Sequence, residues 1–577
     1  MLRKLYISLL LTAACGFAAQ AQGVAIRVSS QKSFNSMRAS IDKYVKAGEK
    51  QITVLIEPGT YEFTENHLTL KNLDYSDVDL SIIGPGAVVT SSGEQIERGA
   101  DLQKLNRYWC YLSDTGEELD AWSPFMQSDS EVEVLDSKKG ECRIHCTAPI
   151  ANSKACEDQY ILITESFKSV RCKVTSIKDG YIHFTTDDAA NINLDYTVAK
   201  RYPRFKLLGN PDIPGAISIK GGAAGFPAGV TSVRTCKSSN FLYVDGCRFK
   251  SLSIESIKFK GSKESSQLLT FIDTEASEGI SIKNCEFRNL HGDVISIKNT
   301  AGVTVSLNRF ADNYRSCIKS DNRSSRTEVR ENLFTHCGTG VQNSACVTCS
   351  GTDYLVKDNR FENFGYSAVS VGLHYTSKRY EPISGTVEGN EIYNTAEYNA
   401  AVAENSLMDS GAIYLMTNND NSTVAYNYVH DINGYYSNNG IYCDDGAKGF
   451  KLYANIVTHI ANGYTIYSRR VGYIETLAGS QVSKTNVDNQ MMYNILDGKY
   501  MFAGRPGDNG CRKGCNYLIK AADGSVPVLK SSDIPEAEDD VVLEGVTIGN
   551  GKVKVSRKAF RKNFSSDRFA PIRKYLK

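Results

Sequence analysis

A short phrase recurs through the second half of this chain: Cys or Asn, one variable residue, then an apolar residue. It reads Cys285-Glu286-Phe287, Asn308-Arg309-Phe310, Asn332-Leu333-Phe334, Asn359-Arg360-Phe361, Asn390-Glu391-Ile392, Asn427-Tyr428-Val429, Asn455-Ile456-Val457 and Asn494-Ile495-Leu496. Successive copies lie 23, 24, 27, 31, 37, 28 and 39 residues apart. A fixed minimum with variable excess marks a solenoid in which each turn is one coil and the excess is a loop on one side. Leucine-rich repeats share the period but need recurrent Leu, which these rows lack. The rows are rich in Val, Ile, Thr, Tyr and Phe with Asn and Gly at the corners, so each coil is short strands joined by turns.

A second phrase recurs once per coil: Val294-Ile295-Ser296-Ile297, Cys317-Ile318-Lys319-Ser320, Gly340-Val341-Gln342-Asn343, Ala368-Val369-Ser370-Val371, Ala412-Ile413-Tyr414-Leu415, Gly440-Ile441-Tyr442-Cys443 and Thr465-Ile466-Tyr467-Ser468. Ile295, Ile318, Val341, Val369, Ile413, Ile441 and Ile466 are expected to stack inward. An Asn at the same corner of each coil bonds its neighbours and satisfies buried turn backbone. The inferred architecture is all-β, a parallel β-helix with coils about 4.8 Å apart. Alternation along a strand then predicts an outward column Ser296, Lys319, Gln342, Ser370, Tyr414, Tyr442, Tyr467, with Lys298, Asp321, Ser344, Gly372, Met416, Asp444, Arg469 beside it. Three adjacent tyrosines next to a carboxylate and an arginine predict an aromatic, polar strip suited to a sugar. The high β-propensity of Tyr explains such a column equally simply.

The remaining sequence sets the frame. Residues 1–21 read as an export signal: Arg3 and Lys4, an apolar run to Ala19, then Ala19-Gln20-Ala21. A rival reading takes Thr12-Ala13-Ala14-Cys15 as a loose lipobox, with Thr12 where Leu is usual. No later stretch reaches a membrane-spanning length, so the expectation is an exported, periplasmic or secreted chain without a transmembrane segment. With 66 Lys+Arg against 65 Asp+Glu, interspersed, no basic footprint for nucleic acid stands out, and 41% hydrophobic residues exclude a largely disordered chain. The 577 residues divide into a cap and first coils over 22–100, an inserted β-sandwich or barrel-like domain over 101–235, the solenoid proper over 236–525, and a C-terminal cap over 526–577. Ser33–Val45 is predicted to be a short amphipathic helix over the open end of the first coil, protecting its edge. Among the 16 Cys, Cys142/Cys146, Cys346/Cys349 and Cys511/Cys515 are close enough to pair locally, while several others fall at periodic positions and read as buried apolar residues. No His stands at zinc-finger spacing from them.

The densest acidic and hydroxyl cluster runs Glu404-Asn405-Ser406-Leu407-Met408-Asp409-Ser410-Gly411-Ala412-Ile413-Tyr414, followed by His430-Asp431 and by Asp444-Asp445-Gly446. Glu404 and Asp409 precede one strand and Asp444 and Asp445 end the next, so carboxylates from two coils are placed to bracket a sugar. Glycoside hydrolysis needs such a pair, one acid to protonate the leaving oxygen and one carboxylate as nucleophile or base. His430-Asp431 directly follows an Asn corner and reads first as a turn-builder. His374, on a long loop, is a further candidate for the strip.

Asp409-Ser410-Gly411-Ala412-Ile413-Tyr414, Tyr428-Val429-His430-Asp431 and Gly440-Ile441-Tyr442-Cys443-Asp444-Asp445-Gly446 together resemble the consecutive-coil signature of exported right-handed parallel β-helix proteins related to glycoside hydrolases, such as the β-helical β-xylosidases and the fucosidase/xylanase group. Pro58-Gly59-Thr60-Tyr61 and an inserted β domain with Arg201-Tyr202-Pro203 near its end are also similar, whereas Cys443 stands where a larger apolar residue is more usual. The resemblance implies a right-handed helix, carbohydrate-active function and acidic catalytic residues at the coil ends. Three functions follow as expectations. The first is a glycoside hydrolase acting on a polysaccharide or oligosaccharide without a cofactor, with Asp409, Asp444, Asp445 and Glu404 as catalytic candidates and Tyr414, Tyr442, Tyr467, His374 and Arg469 binding sugar. The second is a polysaccharide lyase using Lys319, Arg469 or Arg470, with Asp residues holding Ca²⁺. The third is a glycan-binding surface protein without catalysis.

Overall fold

Three strands per coil wind the chain into a right-handed parallel β-helix. The structure, a computed structural model, describes residues 23–576 apart from 64–65, 92–93, 98–107, 113–125, 128–131, 146–159, 166–167, 187–203, 209–231, 237–239, 262–266, 291, 314, 339–343, 373–382, 403–409, 417–420, 434–437, 445, 462, 469–473, 478–479, 484–486, 503–511, 521–539 and 550–551. The coils share three long sheets, here called A (14 strands), B (13 strands) and C (11 strands). Leu269, Ile295, Ile318, Val347, Val369, Ile413, Ile441 and Ile466 of sheet C stand in register and are wholly buried. One coil differs from expectation: Val347 and Thr348, on the strand Ala345–Cys349, occupy the places assigned to Val341 and Gln342. Both stretches carry a Val followed by a polar residue, and Ala345-Cys346-Val347 supplies three buried residues against the neighbouring coils.

The corner between sheets A and B explains the repeat. Eight asparagines, Asn308, Asn332, Asn359, Asn390, Asn427, Asn455, Asn494 and Asn516, each receive at Oδ1 the backbone N–H of the preceding corner residue at 2.8–3.1 Å. Their Nδ2 groups donate to the next Oδ1 and to sheet A carbonyls, as Asn359 does to Asn390 at 3.0 Å and to Val329 at 2.8 Å. The first donor is Cys285, which gives its backbone N–H to Asn308 and its thiol to Lys283 O at 3.4 Å, and the last acceptor is Asp540, whose carboxylate ends the ladder without a donor to place. The residue before each corner turns left-handed, with φ of 57° at Leu307, 56° at Glu331, 58° at Tyr426 and 49° at Ala454. Such a conformation is unfavourable for a residue with a side chain, and the buried Asn network holds it in place. Below the corner, Phe259, Phe287, Phe310, Phe334 and Phe361 stack face to face with centroids 4.6–5.2 Å apart, matching the strand spacing.

At the N-terminus the single predicted helix is two, Gln31–Asn35 and Met37–Lys46, separated at Ser36. Ser30 and Ser33 form a reciprocal capping box at the first. Phe34, Met37 and Ile41 are wholly buried against the first coils. The insertion leaves the solenoid register intact. Leu68–Lys71 pairs directly with Leu242–Asp245, and Ala87–Ser91 with Lys258–Gly261. Between them Ser232–Cys236 pairs antiparallel with both Glu94–Glu97 and Tyr108–Leu112, and seven further strands form one antiparallel sheet. Its hairpin at Asp179-Gly180 has φ of 54° and 77°, the two left-handed residues that a tight two-residue turn requires.

The C-terminal segment lies along the flank of the solenoid rather than only closing its end. Val541–Leu543 joins sheet B, and Phe564, Phe569, Ile572 and Leu576 pack with Tyr428, Ile456, Ile495 and Ile519 in a cluster separate from the interior. Tyr575 Oη donates to Gly389 O at 3.5 Å, and Lys574 Nζ lies 3.9 Å from Asp358, so this strap reaches back over several coils. Cys142, Cys247, Cys285, Cys317, Cys337, Cys346 and Cys349 are buried free thiols, which sets aside a Cys346–Cys349 bridge. Burial pushes the Cys285 thiol up to about 12 and the Cys142 thiol up to about 11, values that leave them protonated and inert. No helix among the described residues is long and apolar enough to cross a membrane.

Candidate active site

On sheet C the strands Ser410–Leu415, Asn438–Cys443 and Ile466–Ser468 bring Tyr414, Tyr442 and Tyr467 into one row, one per coil, as the spacing predicts. The strip is not exposed. Tyr414, Tyr442 and Tyr467 are 0%, 5% and 7% accessible and form their own cluster with Tyr366 and Met416 outside the solenoid interior. Alternation decides only that a side chain leaves the inner core, and here a second layer covers it. The rings do not stack in parallel. Tyr414 and Tyr442 meet edge to face at 82° with centroids 5.1 Å apart, and Tyr442 and Tyr467 are tilted by 50° at the same distance.

Hydroxyl chemistry accounts for those tilts. Asp444, 2% accessible, follows the second strand, accepts the Tyr442 hydroxyl at 2.9 Å on Oδ1 and takes the Tyr414 hydroxyl on Oδ2. Two coils thereby converge on one buried carboxylate, which a burial of this depth requires. At the other end of the same strands Ser410 and Asn438 are joined at 2.5 Å, Asn439 Nδ2 donates to Ser410 O at 3.3 Å, and Tyr464 N donates to Asn439 Oδ1 at 3.0 Å. Gly411 is required in this register, since a Cβ there would lie 2.7 Å from the Tyr442 Cβ. Asp409, Asp445, Glu404, His374 and Arg469 lie outside the described residues; Asp409 directly precedes Ser410, and Asp445 directly follows Asp444.

A second polar cluster occupies the outward side of sheet B. Asp431 accepts His430 Nδ1 at 2.7 Å on Oδ2 and His459 Nδ1 at 2.9 Å on Oδ1, which places a proton on both Nδ1 atoms. The His430 ring is stacked on Tyr393, 4.9 Å away at 6°, and on Tyr428, 4.2 Å away at 26°. Its Nε2 makes no hydrogen bond and faces Glu391 Oε1 at 3.8 Å. Burial alone would lower the His430 pKa, but the Asp431 and Glu391 carboxylates outweigh it and hold it above the usual value. The His459 pKa is raised chiefly by its bond to Asp431. Burial works against ionisation of Asp431 as well, yet its two imidazole partners hold it well below the ordinary carboxylate range. Burial raises Asp497, whose carboxylate oxygens both accept the His459 backbone N–H at 3.0 Å. His430-Asp431 is thus more than a turn. The signal was present in the spacing: Asp431 and His459 are 28 residues apart, as are Asn427 and Asn455. No group of three metal-ligating side chains is gathered at either site among the described residues.

Residues 216–398 match the family model described as the right handed beta helix region. Solved structures similar to this chain include one described as a glycoside hydrolase, at 11% identity and TM-score 0.48, covering 85% of this chain and 95% of that one. The A-module of an Azotobacter vinelandii mannuronan C-5 epimerase aligns at 10% identity and TM-score 0.43, over 90% and 96% of the two chains. A family 28 exopolygalacturonase of Yersinia enterocolitica aligns at 9% identity and TM-score 0.33, over 90% and 78%. No curated protein matches by sequence.

Proposed function

We propose that this protein is a carbohydrate-active enzyme, a glycoside hydrolase whose chemistry is centred on the outward side of sheet C at Asp444. The observation that carries the reading is one buried carboxylate oriented by tyrosine hydroxyls from two successive coils. A carboxylate that accepts two O–H groups has no proton of its own to give. In this reading Asp444 stabilises positive charge developing on the sugar, and the proton for the leaving oxygen comes from Asp409, Asp445 or Glu404. In sequence Asp445 directly follows Asp444, and Asp409 directly precedes the strand bearing Tyr414. Tyr414 and Tyr442 act as positioning residues for Asp444, and Tyr467, His374 and Arg469 are the proposed sugar-binding residues.

The test is a panel of neutral and acidic polysaccharides assayed for reducing ends. On an active substrate, Asp444→Asn and Asp409→Asn are each expected to lower kcat by about 10²–10⁴-fold with the fold retained. Full activity in both variants would refute the assignment. An unsaturated product absorbing in the ultraviolet and lost with chelator would identify a lyase instead.

A further inference from the structure

We propose that the C-terminal strap is a docking surface for an acidic polysaccharide, separate from the sheet C site. Residues 552–577 carry ten Lys/Arg and one acidic residue, Asp567, whereas residues 1–551 carry 56 Lys/Arg against 64 Asp/Glu. The near-neutral total therefore conceals a strongly cationic band on an anionic body.

Lys554, Arg557, Lys558, Arg561 and Lys562 are all exposed. None of the five makes an ion pair among the described residues. Within Arg557–Asn563, Arg557 and Arg561, and likewise Lys558 and Lys562, are like charges four apart, and the first turn has no acidic residue to meet the helix dipole. Both features work against the helix when it is unoccupied. Packing of Ala559, Phe564, Phe569 and Ile572 against the flank of sheet B holds the segment in place with its cations outward. An arrangement that repels itself and has no internal counterion is satisfied by a polyanion.

The chemistry of the band selects among polyanions. Its apolar side chains are turned into the protein, so it offers no hydrophobic face to enter a lipid interface. Duplex nucleic acid, with a charge every ~1.7 Å, would also have to be accommodated by the rest of the chain, which carries an acidic excess over residues 1–551. A carboxylated polysaccharide matches the charge, and the exposed Ser556, Ser565 and Ser566 offer hydroxyls beside it. This inference rests on the glycan-directed part of the function proposed above and not on hydrolysis.

The experiment uses the full chain carrying Asp444→Asn and measures binding to fluorescent polygalacturonate and to neutral dextran at 50 and 200 mM salt. Polygalacturonate should bind at least tenfold more weakly at the higher salt, and dextran binding should not change with salt. Replacing Lys554, Arg557, Lys558, Arg561 and Lys562 together by Gln should weaken polygalacturonate binding at least tenfold, with an unchanged circular dichroism spectrum and Tm. A second set, Arg557→Glu with Arg561→Glu, should act in the same direction. Undiminished binding by both variants would overturn the proposal, as would equal, salt-independent binding of dextran. Tighter binding to anionic phospholipid vesicles or to duplex DNA than to polygalacturonate, at equal charge, would reassign the surface. Because the readout is binding by a chain lacking Asp444, failure of the hydrolase reading leaves a positive result standing, and a negative result here leaves that reading untouched.

Discussion

Two aromatic columns run along this solenoid with the same one-per-coil spacing, and they behave differently. Phe287, Phe310, Phe334 and Phe361, inside, lie within 5–10° of parallel. Tyr414, Tyr442 and Tyr467, outside, are turned by 50–82° against one another. Phenylalanine has only dispersion and shape to satisfy, so the coil repeat is imposed on its rings directly. A buried tyrosine must also place its hydroxyl, and Tyr414 and Tyr442 tilt to reach Asp444. The inner column is a product of the repeat, while the outer one departs from the repeat around a charge.

The contrast can be broken by mutation. The largest effect is expected from Phe334→Ala, which opens a void between two stacked rings: a loss of about 3–5 kcal/mol in urea unfolding, with kcat on an active substrate unchanged in whatever remains folded. A loss below 1 kcal/mol would show that the column is not a continuous support. Next comes Tyr442→Phe, which keeps the ring and removes a donor from Asp444. Stability should fall by roughly 1.5–3 kcal/mol, and kcat should fall with it. If stability falls and kcat does not, Asp444 is structural and the sheet C assignment fails.

The smallest effect concerns the histidines on sheet B. The folded pKa values of His430 and His459 are raised, so their contribution is fully present below the unfolded value near 6.5 and is lost as pH rises through the folded values. Asp431 runs the other way: its pKa is depressed, and its contribution is lost as pH falls below about 3.8. The parent should therefore lose Tm between pH 6.5 and 8, on the order of 1 °C more than a His459→Asn variant. Parallel Tm profiles for the two proteins over that window would show that the Asp431 bridge contributes nothing in solution.

Much of the fold was legible because its determinants are local and recur. An Asn at a corner, an apolar residue two further on, and β-branched rows between them give strands, corners and coil number without knowledge of any partner. The one register error, Val341 for Val347, arose where two similar phrases stand six residues apart, and only pairing across coils separates them. The site was less legible. Asp444 and the tyrosine row were picked out, but their burial was not, because alternation says which way a side chain leaves the strand and nothing about what covers it. The shared Asp431 was missed for the same reason: two histidines 29 residues apart become partners only when the coils stack.

The repeating unit is written in the chain: its period, its corners and the residues that face the interior are all set by steric and hydrogen-bonding preferences acting within one coil. Where the Asn ladder ends, at Asp540, and that the tyrosines serve a buried carboxylate emerge only when the coils are stacked. Only the tertiary structure places the basic C-terminus along a flank. Those outcomes depend on contacts between coils or between distant segments, where electrostatics and burial are properties of the assembled surface and no single stretch of chain carries them.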